Sequence, residues 1–322
     1  MILGIDTSNY TTSAALVDRE GSVLLNAKIP LPVKEGERGL RQSDAVFHHV
    51  RNLPEAARLI GEVLAAHPDD PLTAVGVSEN PRDAEGSYMP CFLAGVSAAE
   101  MTARTQGVPL FRFSHQAGHV MAALTSACRN GGADREEMLS GPFYAFHVSG
   151  GTTDLLLVQP GEERIFSIEE IGGSKDINAG QAVDRVGVMM GFPFPAGPSL
   201  DRAAQEALAA GMKPMHAPVA VDGMRCNLSG LENRAAALWQ QTGDRAAVSL
   251  FVLDFLARTL EAMTKNAFAV YGPLPVIYAG GVMSSQTVRR TLGQYGLFAD
   301  PAFSADNAAG IAWLTKEAMR RG

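Results

Sequence analysis

Near the amino end, the order of apolar and polar positions predicts a meander of three strands. A strand begins at residue 2, a turn rich in hydroxyl side chains covers residues 7–13, and apolar segments follow at residues 14–17 and 23–25. Apolar positions at helical or strand spacing then predict a helix at 45–66, a strand at 74–77 and a helix at 91–105. The predicted order is β-β-β-α-β-α.

The same pattern returns near the middle of the chain. Three apolar segments, at residues 143–148, 153–158 and 164–168, predict a second meander whose first turn is Ser149-Gly150-Gly151-Thr152. The elements predicted after it are helices at 178–190, 200–210, 231–241 and 246–270, a strand at 276–278 and a last helix at 310–319. Two similar meanders indicate a duplicated α/β unit with a cleft between two lobes.

Composition and charge narrow the class of protein. With 46% hydrophobic and 19% charged residues, the chain is typical of a globular protein with a large core. The longest uncharged stretch, residues 266–288, is interrupted by Pro273 and Pro275, and the first residues lack the basic segment of a signal peptide. We therefore predict no membrane span and a cytoplasmic location. The net charge of −7 indicates that RNA would need a local basic surface.

His115 and His119 form the first candidate site. Imidazoles four residues apart lie on one face of a helix, close enough to share a metal ion. Gln116 stands where a zinc peptidase needs glutamate, so that class is excluded. Two capping or solvated histidines are an equal alternative. Asp306 is either the N-cap of the last helix or a third ligand, which would suit zinc or ferrous iron, and His147 is a candidate fourth ligand.

Turns rich in glycine and hydroxyl groups form the second candidate site. They follow predicted strands at residues 149–154, 172–174 and 279–282, and Thr7 with Ser8 takes the matching place in the first lobe. Backbone without β-carbons can approach a phosphate closely and offer its amides. These turns resemble the phosphate hairpins of an actin-like ATPase, and the chain has neither a Walker loop nor a Rossmann fingerprint.

Two carboxylates follow these turns. Asp184 lies on the helix predicted after Asn178, and Asp201 opens the next helix beyond a turn rich in proline. Each is either structural, as an ion pair or an N-cap, or a ligand for ribose hydroxyls or for the water shell of a metal.

Seven motifs in order along nearly the whole chain resemble the tRNA threonylcarbamoyladenosine transferase family, once catalogued as O-sialoglycoprotein endopeptidases. They are His115-x-x-x-His119, Ser149-Gly150-Gly151-Thr152, Ala179-Gly180-Gln181-x-x-Asp184, Gly197-Pro198-x-x-Asp201, Ser229-Gly230-Leu231, Ala279-Gly280-Gly281-Val282 and Asp306-Asn307-Ala308. This resemblance implies the actin-like ATPase fold of acetate kinases, sugar kinases, Hsp70 and actin, with two duplicated RNase H-like lobes and a central cleft. We expect lobe I at residues 1–112, joined by the last helix at about 306–322, and lobe II at 113–305.

The resemblance also implies the site. One Fe²⁺ or Zn²⁺ is expected on His115, His119 and Asp306, and His147 stands where archaeal members often have a tyrosine ligand. The implied nucleotide is ATP, AMP or an acyl-adenylate. The residues expected to contact it are Thr7, Ser8, Ser149, Gly150, Gly151, Thr152, Asp184, Gly197, Asp201, Gly280, Gly281 and Ser285.

Several positions depart from the family pattern. The first turn, which contains Thr11 and Thr12, lacks the two later acids of the family pattern. Ala117 replaces the glutamate inside the histidine pair, Gln181 replaces the glutamate of Ala-Gly-Glu, and Ser285 replaces an asparagine. These differences indicate a divergent member.

The implied activity is that of an acyltransferase. It is metal-dependent transfer of a threonylcarbamoyl group from its adenylate to N6 of adenosine 37 in tRNA, with a small paralogous protein and an ATPase as partners. The alternatives that stay open are carbamoyl-type transfer to another acceptor and an inactive nucleotide-binding scaffold. A sugar or acid kinase, with Asp154 as its catalytic acid, is a further reading that would not use the histidine pair.

Overall fold

The structure is a computed structural model that describes residues 1–8, 10–32, 40–161, 164–303 and 308–322. The strands are β1 (Ile2–Asp6), β2 (Thr11–Val17), β3 (Val23–Pro30), β4 (Ala74–Asn80), β5 (Leu110–Ser114), β6 (Phe143–Val148), β7 (Thr153–Pro160), β8 (Phe166–Ser174), β9 (Val221–Asp222), β10 (Arg225–Cys226), β11 (Val276–Ala279) and β12 (Leu297–Phe298). The helices are α1 (Gln42–Ala66), α2 (Phe92–Gln106), α3 (His115–Gly131), α4 (Arg135–Ser140), α5 (Ala179–Met189), α6 (Gly197–Ala209), α7 (Ser229–Thr242), α8 (Arg245–Tyr271), α9 (Gln286–Leu292) and α10 (Ala309–Arg321).

The first compact unit comprises Met1–Ala123, Gly161–Phe166 and Ala305–Gly322. Its sheet has the order β3-β2-β1-β4-β5, in which β1, β2 and β3 form an antiparallel meander and β1, β4 and β5 run parallel. Every residue of β1 is buried, as expected for a central strand covered on both faces. Helix α10 packs on β1, β2 and β4, while α1 contacts β2 and α2 contacts β4.

The second compact unit comprises Leu124–Pro160 and Ser167–Ser304. Its sheet has the order β12-β11-β6-β7-β8-β10-β9, so β8-β7-β6-β11-β12 repeats the strand order of the first unit. The pairing directions repeat as well, because β6 is antiparallel to β7 and parallel to β11. The core of this unit is built around α8, which contributes Phe251, Phe255 and Leu260. This repetition agrees with the duplicated α/β unit predicted from the two meanders.

Helix α8 contributes buried residues to the core from Val248 to Ala267. Its last residues, which fall in the longest uncharged stretch of the sequence, include the exposed Val270 and Tyr271. None of the helices in the described part of the chain is long and apolar enough to cross a membrane.

One predicted turn is part of a strand. The glycine pair of residues 172–174 was expected to follow a strand ending at Ile168, but β8 continues to Ser174. Gly173 pairs with Arg225 of β10, and a β-carbon on Gly172 would overlap the carbonyl oxygen of Met224. The turn predicted here is therefore wrong, because the lack of side chains lets a neighbouring strand approach.

Helix α10 begins in contact with α3. A β-carbon on Gly310 would overlap the carbonyl oxygen of Gly118, and it would lie 3.1 Å from the β-carbon of Ala122. The two helices therefore touch backbone to backbone beside His119.

We predict that Gly310→Ala destabilises the protein by about 1–3 kcal/mol or more, because the added methyl group meets a backbone atom that cannot rotate away. The matched control is Gly61→Ala in α1, where no described residue outside its own stretch of helix lies within 4 Å of the new methyl group. Better helix propensity should make this control more stable, by about 0.5–1 kcal/mol. Urea unfolding followed by circular dichroism measures both variants, and equal stabilities would contradict the close contact.

Candidate functional site

Residues 149–152 form a tight turn between β6 and β7. The Ser149 hydroxyl oxygen accepts hydrogen bonds from the backbone N–H groups of Gly151 and Thr152, at 3.2 Å each. The backbone N–H of Ser149 donates to the carbonyl oxygen of Thr152 at 2.8 Å. The serine therefore holds the turn together from within.

Helix α5 begins directly against this turn. The N–H of Gly180 donates to the Ser149 carbonyl oxygen at 3.0 Å, and a β-carbon on Gly180 would lie 2.5 Å from the backbone nitrogen of Gly150. Asn178 Nδ2 donates to the Gly151 carbonyl oxygen at 2.7 Å. Gln181 Oε1 accepts from the backbone N–H of Asn178 at 3.2 Å, which is half of a capping box. Gln181 thus has a helix-capping role.

The second unit contains a cavity of about 620 Å³ beside this turn. A cavity of this size is in the range of small-molecule sites. Six of the residues predicted to contact a nucleotide line it, namely Gly150, Asp184, Gly197, Asp201, Gly281 and Ser285. Val183, Pro198 and Leu253 add apolar surface. Three more predicted residues, Ser149, Gly151 and Gly280, adjoin lining residues in the chain, and Thr152 closes the same turn.

Two lining glycines have no structural reason to be glycine. Neither Gly150 nor Gly281 has a positive φ angle, and apart from its chain neighbours no described residue lies within 4 Å of a β-carbon built on either. Gly280 differs, because it has φ +102° and its β-carbon would overlap the Val148 carbonyl oxygen. Bare backbone that faces open space at two places in one cavity is what close approach of a ligand requires.

The Asp201 carboxylate caps α9. Its Oδ1 accepts from Ser285 Oγ at 2.6 Å and from the Thr287 N–H at 3.0 Å. Its Oδ2 accepts from the Gln286 N–H at 3.0 Å and from Gln205 Nε2 at 2.8 Å. Burial alone would raise the pKa of Asp201, but the hydrogen bonds from Ser285, Thr287 and Gln286 hold that pKa below its ordinary value. These four donors occupy the lone-pair positions of both oxygens.

Asp184 is more open than Asp201. Its Oδ1 accepts from the Ala196 N–H at 2.8 Å, and among the described residues no donor reaches Oδ2. Arg202 and Gln205, which the sequence analysis did not select, also line the cavity. Both lie on α6, one and four residues after Asp201. Because residues four apart are neighbours on a helix, the spacing from Asp201 could have pointed to Gln205. The cavity therefore offers an acceptor oxygen and a cation to a ligand.

The histidine pair lies in the first unit, at the start of α3. The Nε2 atoms of His115 and His119 are 2.9 Å apart, and the rings meet edge to face with centroids 4.3 Å apart. Two nitrogens bound to one tetrahedral zinc ion would be about 3.3 Å apart. The two Nε2 atoms share a hydrogen bond in the structure, so one of them carries a hydrogen that a metal ion would replace. Their spacing is close to that of two ligands of one ion, and these side chains fit a metal ion.

The other predicted metal ligands are placed differently. Asp306 lies outside the described residues, and His147 is on β6 in the second unit. Within residues 1–8, 10–32, 40–161, 164–303 and 308–322, no group of three His, Cys, Asp or Glu side chains is arranged to hold a metal. Of the predicted metal ligands, the structure therefore brings His115 and His119 together.

Thr7 and Ser8 are buried after β1. Thr7 Oγ1 donates to the Cys91 carbonyl oxygen and accepts from the Gly95 N–H, both at 3.0 Å, so it anchors the start of α2. Ser8 Oγ has no hydrogen-bond partner among the residues described. Nearby, the Thr12 hydroxyl is 2.8 Å from Nδ1 of the buried His49, whose pKa is lowered mainly by burial. Thr12 therefore has a structural partner.

The chain is similar in sequence to proteins of one family. The family model described as TsaD, tRNA N6-adenosine threonylcarbamoyltransferase, matches residues 34–313. A protein of that name from Maricaulis maris is 31% identical over 352 residues, covering 100% of this chain and 86% of the relative. One from Streptococcus suis is 33% identical over 304 residues, covering 91% and 83%. One from Methanopyrus kandleri is 28% identical over 319 residues, covering 97% and 85%.

A solved structure is also similar. The crystal structure of T. kodakarensis HypF superposes with a TM-score of 0.54 and 12% identity, covering 99% of this chain and 47% of that one. The likeness concerns the fold. With the repeated strand order, it confirms the predicted actin-like ATPase fold.

We predict that Ser285→Ala lowers the free energy of unfolding by about 0.5–2 kcal/mol, because it removes a donor to Asp201 and the N-cap of α9. Ser285 Oγ also accepts from the Val288 N–H at 3.2 Å. The control is Ser43→Ala, an exposed serine whose hydroxyl reaches only its neighbour Asp44, at 3.4 Å. Thermal unfolding measures both variants, and equal losses would contradict the cap.

The cap should also depend on pH. Because the pKa of Asp201 is lowered in the folded protein, its contribution to stability is complete above the ordinary aspartate pKa of about 3.9 and is lost as pH falls through the lower folded value. Urea unfolding of wild type and Asp201→Asn should therefore differ most at neutral pH, and the difference should shrink below about pH 4. A difference that stays constant with pH would rule out the ionised cap.

Proposed function

Because this chain belongs to the tRNA N6-adenosine threonylcarbamoyltransferase family, we propose that it transfers a threonylcarbamoyl group to N6 of adenosine 37 in tRNA. The donor is threonylcarbamoyl-adenylate. A bond forms between N6 and the carbamoyl carbon, and the bond between that carbon and the phosphate oxygen breaks. AMP leaves with the electron pair of the broken bond, and its phosphate takes the proton that N6 loses.

The cavity of the second unit is the proposed site of the adenylate. The observation that carries this proposal is the pair of bare glycines, Gly150 and Gly281, which face open space in a cavity large enough for a nucleotide. Their backbone can approach phosphate oxygens without a steric cost. The hydrogen-bonded turn and the capped helices α5 and α9 hold the cavity walls in place, so binding there positions the reacting carbon.

The polar groups of the cavity suit the parts of an adenylate. Asp184 Oδ2 can accept a hydrogen bond from a ribose hydroxyl, and the Arg202 guanidinium can attract the phosphate. Asp201, whose oxygens already accept four hydrogen bonds, contributes mainly by fixing Ser285 and α9. Asp184 is therefore the carboxylate proposed to contact the ligand, because it accepts fewer hydrogen bonds within the protein than Asp201 does.

His115, His119 and Asp306 are the proposed ligands of one divalent ion, Fe²⁺ or Zn²⁺. When bound, such an ion supplies Lewis-acid polarisation of a carbonyl group. Support comes from the converging imidazole nitrogens and from Gly310, which follows Asp306 by four residues in the sequence and packs against Gly118, between the two histidines. The helix after the Asp306 segment thus starts beside the pair.

The tRNA substrate is proposed from the family to which the chain belongs. With a net charge of −7, the chain should bind tRNA through a local basic surface rather than through its overall field. A small paralogous protein and an ATPase are the proposed protein partners. The test therefore measures transfer of the threonylcarbamoyl group by this chain alone and again with the two partner proteins added.

We predict that Gly150→Ala and Gly281→Ala weaken AMP binding by about tenfold to a hundredfold, because each methyl group enters the space of the ligand. Thermal stability should not change, since both methyl groups point into open space. The matched control is Gly141→Ala, which also has open space and a negative φ angle but does not line the cavity. Titration calorimetry with AMP measures the affinities. Unchanged affinity in both variants would exclude this cavity as the site.

The reaction is tested by incubating tRNA that lacks the modification with threonylcarbamoyl-adenylate and the protein. Mass spectrometry of the digested nucleosides should detect threonylcarbamoyladenosine. Asp184→Asn should lower the yield at limiting donor about tenfold, since a hydrogen bond to a charged group is lost. AMP binding without product, with and without the partners, would instead indicate a nucleotide-binding scaffold.

A further inference from the structure

Asp6, the last residue of β1, makes a short hydrogen bond to the histidine pair. Its Oδ2 lies 2.6 Å from Nδ1 of His115, although the two residues are 109 positions apart. Its Oδ1 accepts from the backbone N–H of Ser8 at 2.7 Å. The residue is 1% exposed, so this carboxylate is shielded from water. Sequence analysis did not select Asp6.

This contact decides which nitrogen of His115 carries the hydrogen. An ionised carboxylate has only acceptors, so a hydrogen bond at 2.6 Å requires the hydrogen on Nδ1. The neutral ring then has a lone pair at Nε2, which accepts the 2.9 Å hydrogen bond that His119 donates from its own Nε2–H. Without an acceptor at Nδ1, the hydrogen could move to Nε2, where it would block a cation.

The backbone fixes the carboxylate in turn. Because the Ser8 N–H is part of the turn after β1, it keeps Oδ1 engaged and aims Oδ2 at the imidazole. Thr7, between them, is tied to α2 by two hydrogen bonds. The strand, the turn and the helix therefore hold the acceptor in one orientation.

We infer that Asp6 is a positioning residue that holds His115 in the tautomer with its Nε2 lone pair directed at the point shared with His119. Its negative charge, one ring away, makes this nitrogen a stronger donor to a cation. The tautomer assignment stands on the hydrogen bond alone. Its consequence for metal affinity rests on the metal site of the proposed function, and the two are tested separately.

The tautomer can be read by NMR without any metal. In protein labelled with ¹⁵N-histidine, at a pH well above the ordinary histidine pKa of about 6.5, long-range ¹H–¹⁵N spectra show which ring nitrogen is protonated. A His115→Ala sample assigns the signal among the seven histidines. We expect the wild-type protein to show His115 protonated at Nδ1. Protonation at Nε2 in wild type would overturn the inference, whatever the variants do.

Asp6→Asn should reverse the tautomer. The amide has one acceptor, which the fixed Ser8 N–H keeps, so its NH₂ group faces His115 Nδ1 and moves the ring hydrogen to Nε2. The matched control is Asp18→Asn, because the half-buried Asp18 likewise accepts from a backbone N–H, that of Ser22, at 2.7 Å, in a hydrogen bond exposed to solvent. A purely structural role for Asp6 would leave the tautomer unchanged in a folded Asp6→Asn protein, and that result would contradict the inference.

Zinc affinity gives the second readout. Competition with a chromophoric chelator should show Asp6→Asn binding zinc about tenfold to a hundredfold more weakly than wild type and Asp18→Asn. Equal affinities would refute the effect on the metal site. If wild type binds no zinc while the NMR result holds, the proposed metal site fails and the tautomer assignment survives.

Discussion

Contacts between backbones, made where the chain has no β-carbon, set the geometry of both units. In the second unit, Gly180 lets α5 start against the Ser149 turn, and Gly280 lets the turn after β11 pass the Val148 carbonyl. In the first unit, Gly310 brings α10 against α3. Hydrogen bonds act over only about 3 Å, so the polar contacts beside these glycines require that approach. The polar site therefore depends on packing that involves no polar side chain.

Two departures from the family pattern have structural roles in this chain. Gln181 caps α5 through the backbone of Asn178, and Ser285 caps α9 while donating to Asp201. Both residues keep a short polar side chain at the start of a helix, which is where such groups satisfy free N–H groups. The substitutions are thus compatible with intact cavity walls. Among the six predicted residues that line the cavity, Asp184, Gly197 and the two bare glycines are the ones left to face a ligand.

Much of the fold could be predicted because its signals are local. The meanders, α1, α2 and α8 follow from periodicity over a few turns or strands, and the structure confirms them. Short strands such as β10 and β12 were not predicted, because two residues carry no periodicity and the pairing comes from distant neighbours. The turn predicted at Gly172 was wrong for the same reason, because Met224, the residue that packs against Gly172, lies about fifty positions away in the sequence.

The candidate site likewise has features that local sequence predicts and features that only the fold reveals. Motifs indicated the glycine turns and the histidine pair, since their chemistry is carried by neighbouring residues. The partners of Asp6 and Asp201 lie 109 and 84 positions away, so only the fold reveals that one carboxylate orients an imidazole and the other is saturated. The nucleotide contacts and the metal ligands stay predictions.

The placement of α10 has a consequence for how the chain reaches its final form. Gly4 in β1 lies so close to Ala308 that a β-carbon would overlap its carbonyl oxygen, and the Trp313 indole N–H donates to the Gly21 carbonyl oxygen at 2.8 Å. These strands are thus covered by a helix that the ribosome makes some three hundred residues later. The second unit, whose segments all precede that helix, can complete its core while the first still exposes apolar surface to chaperones.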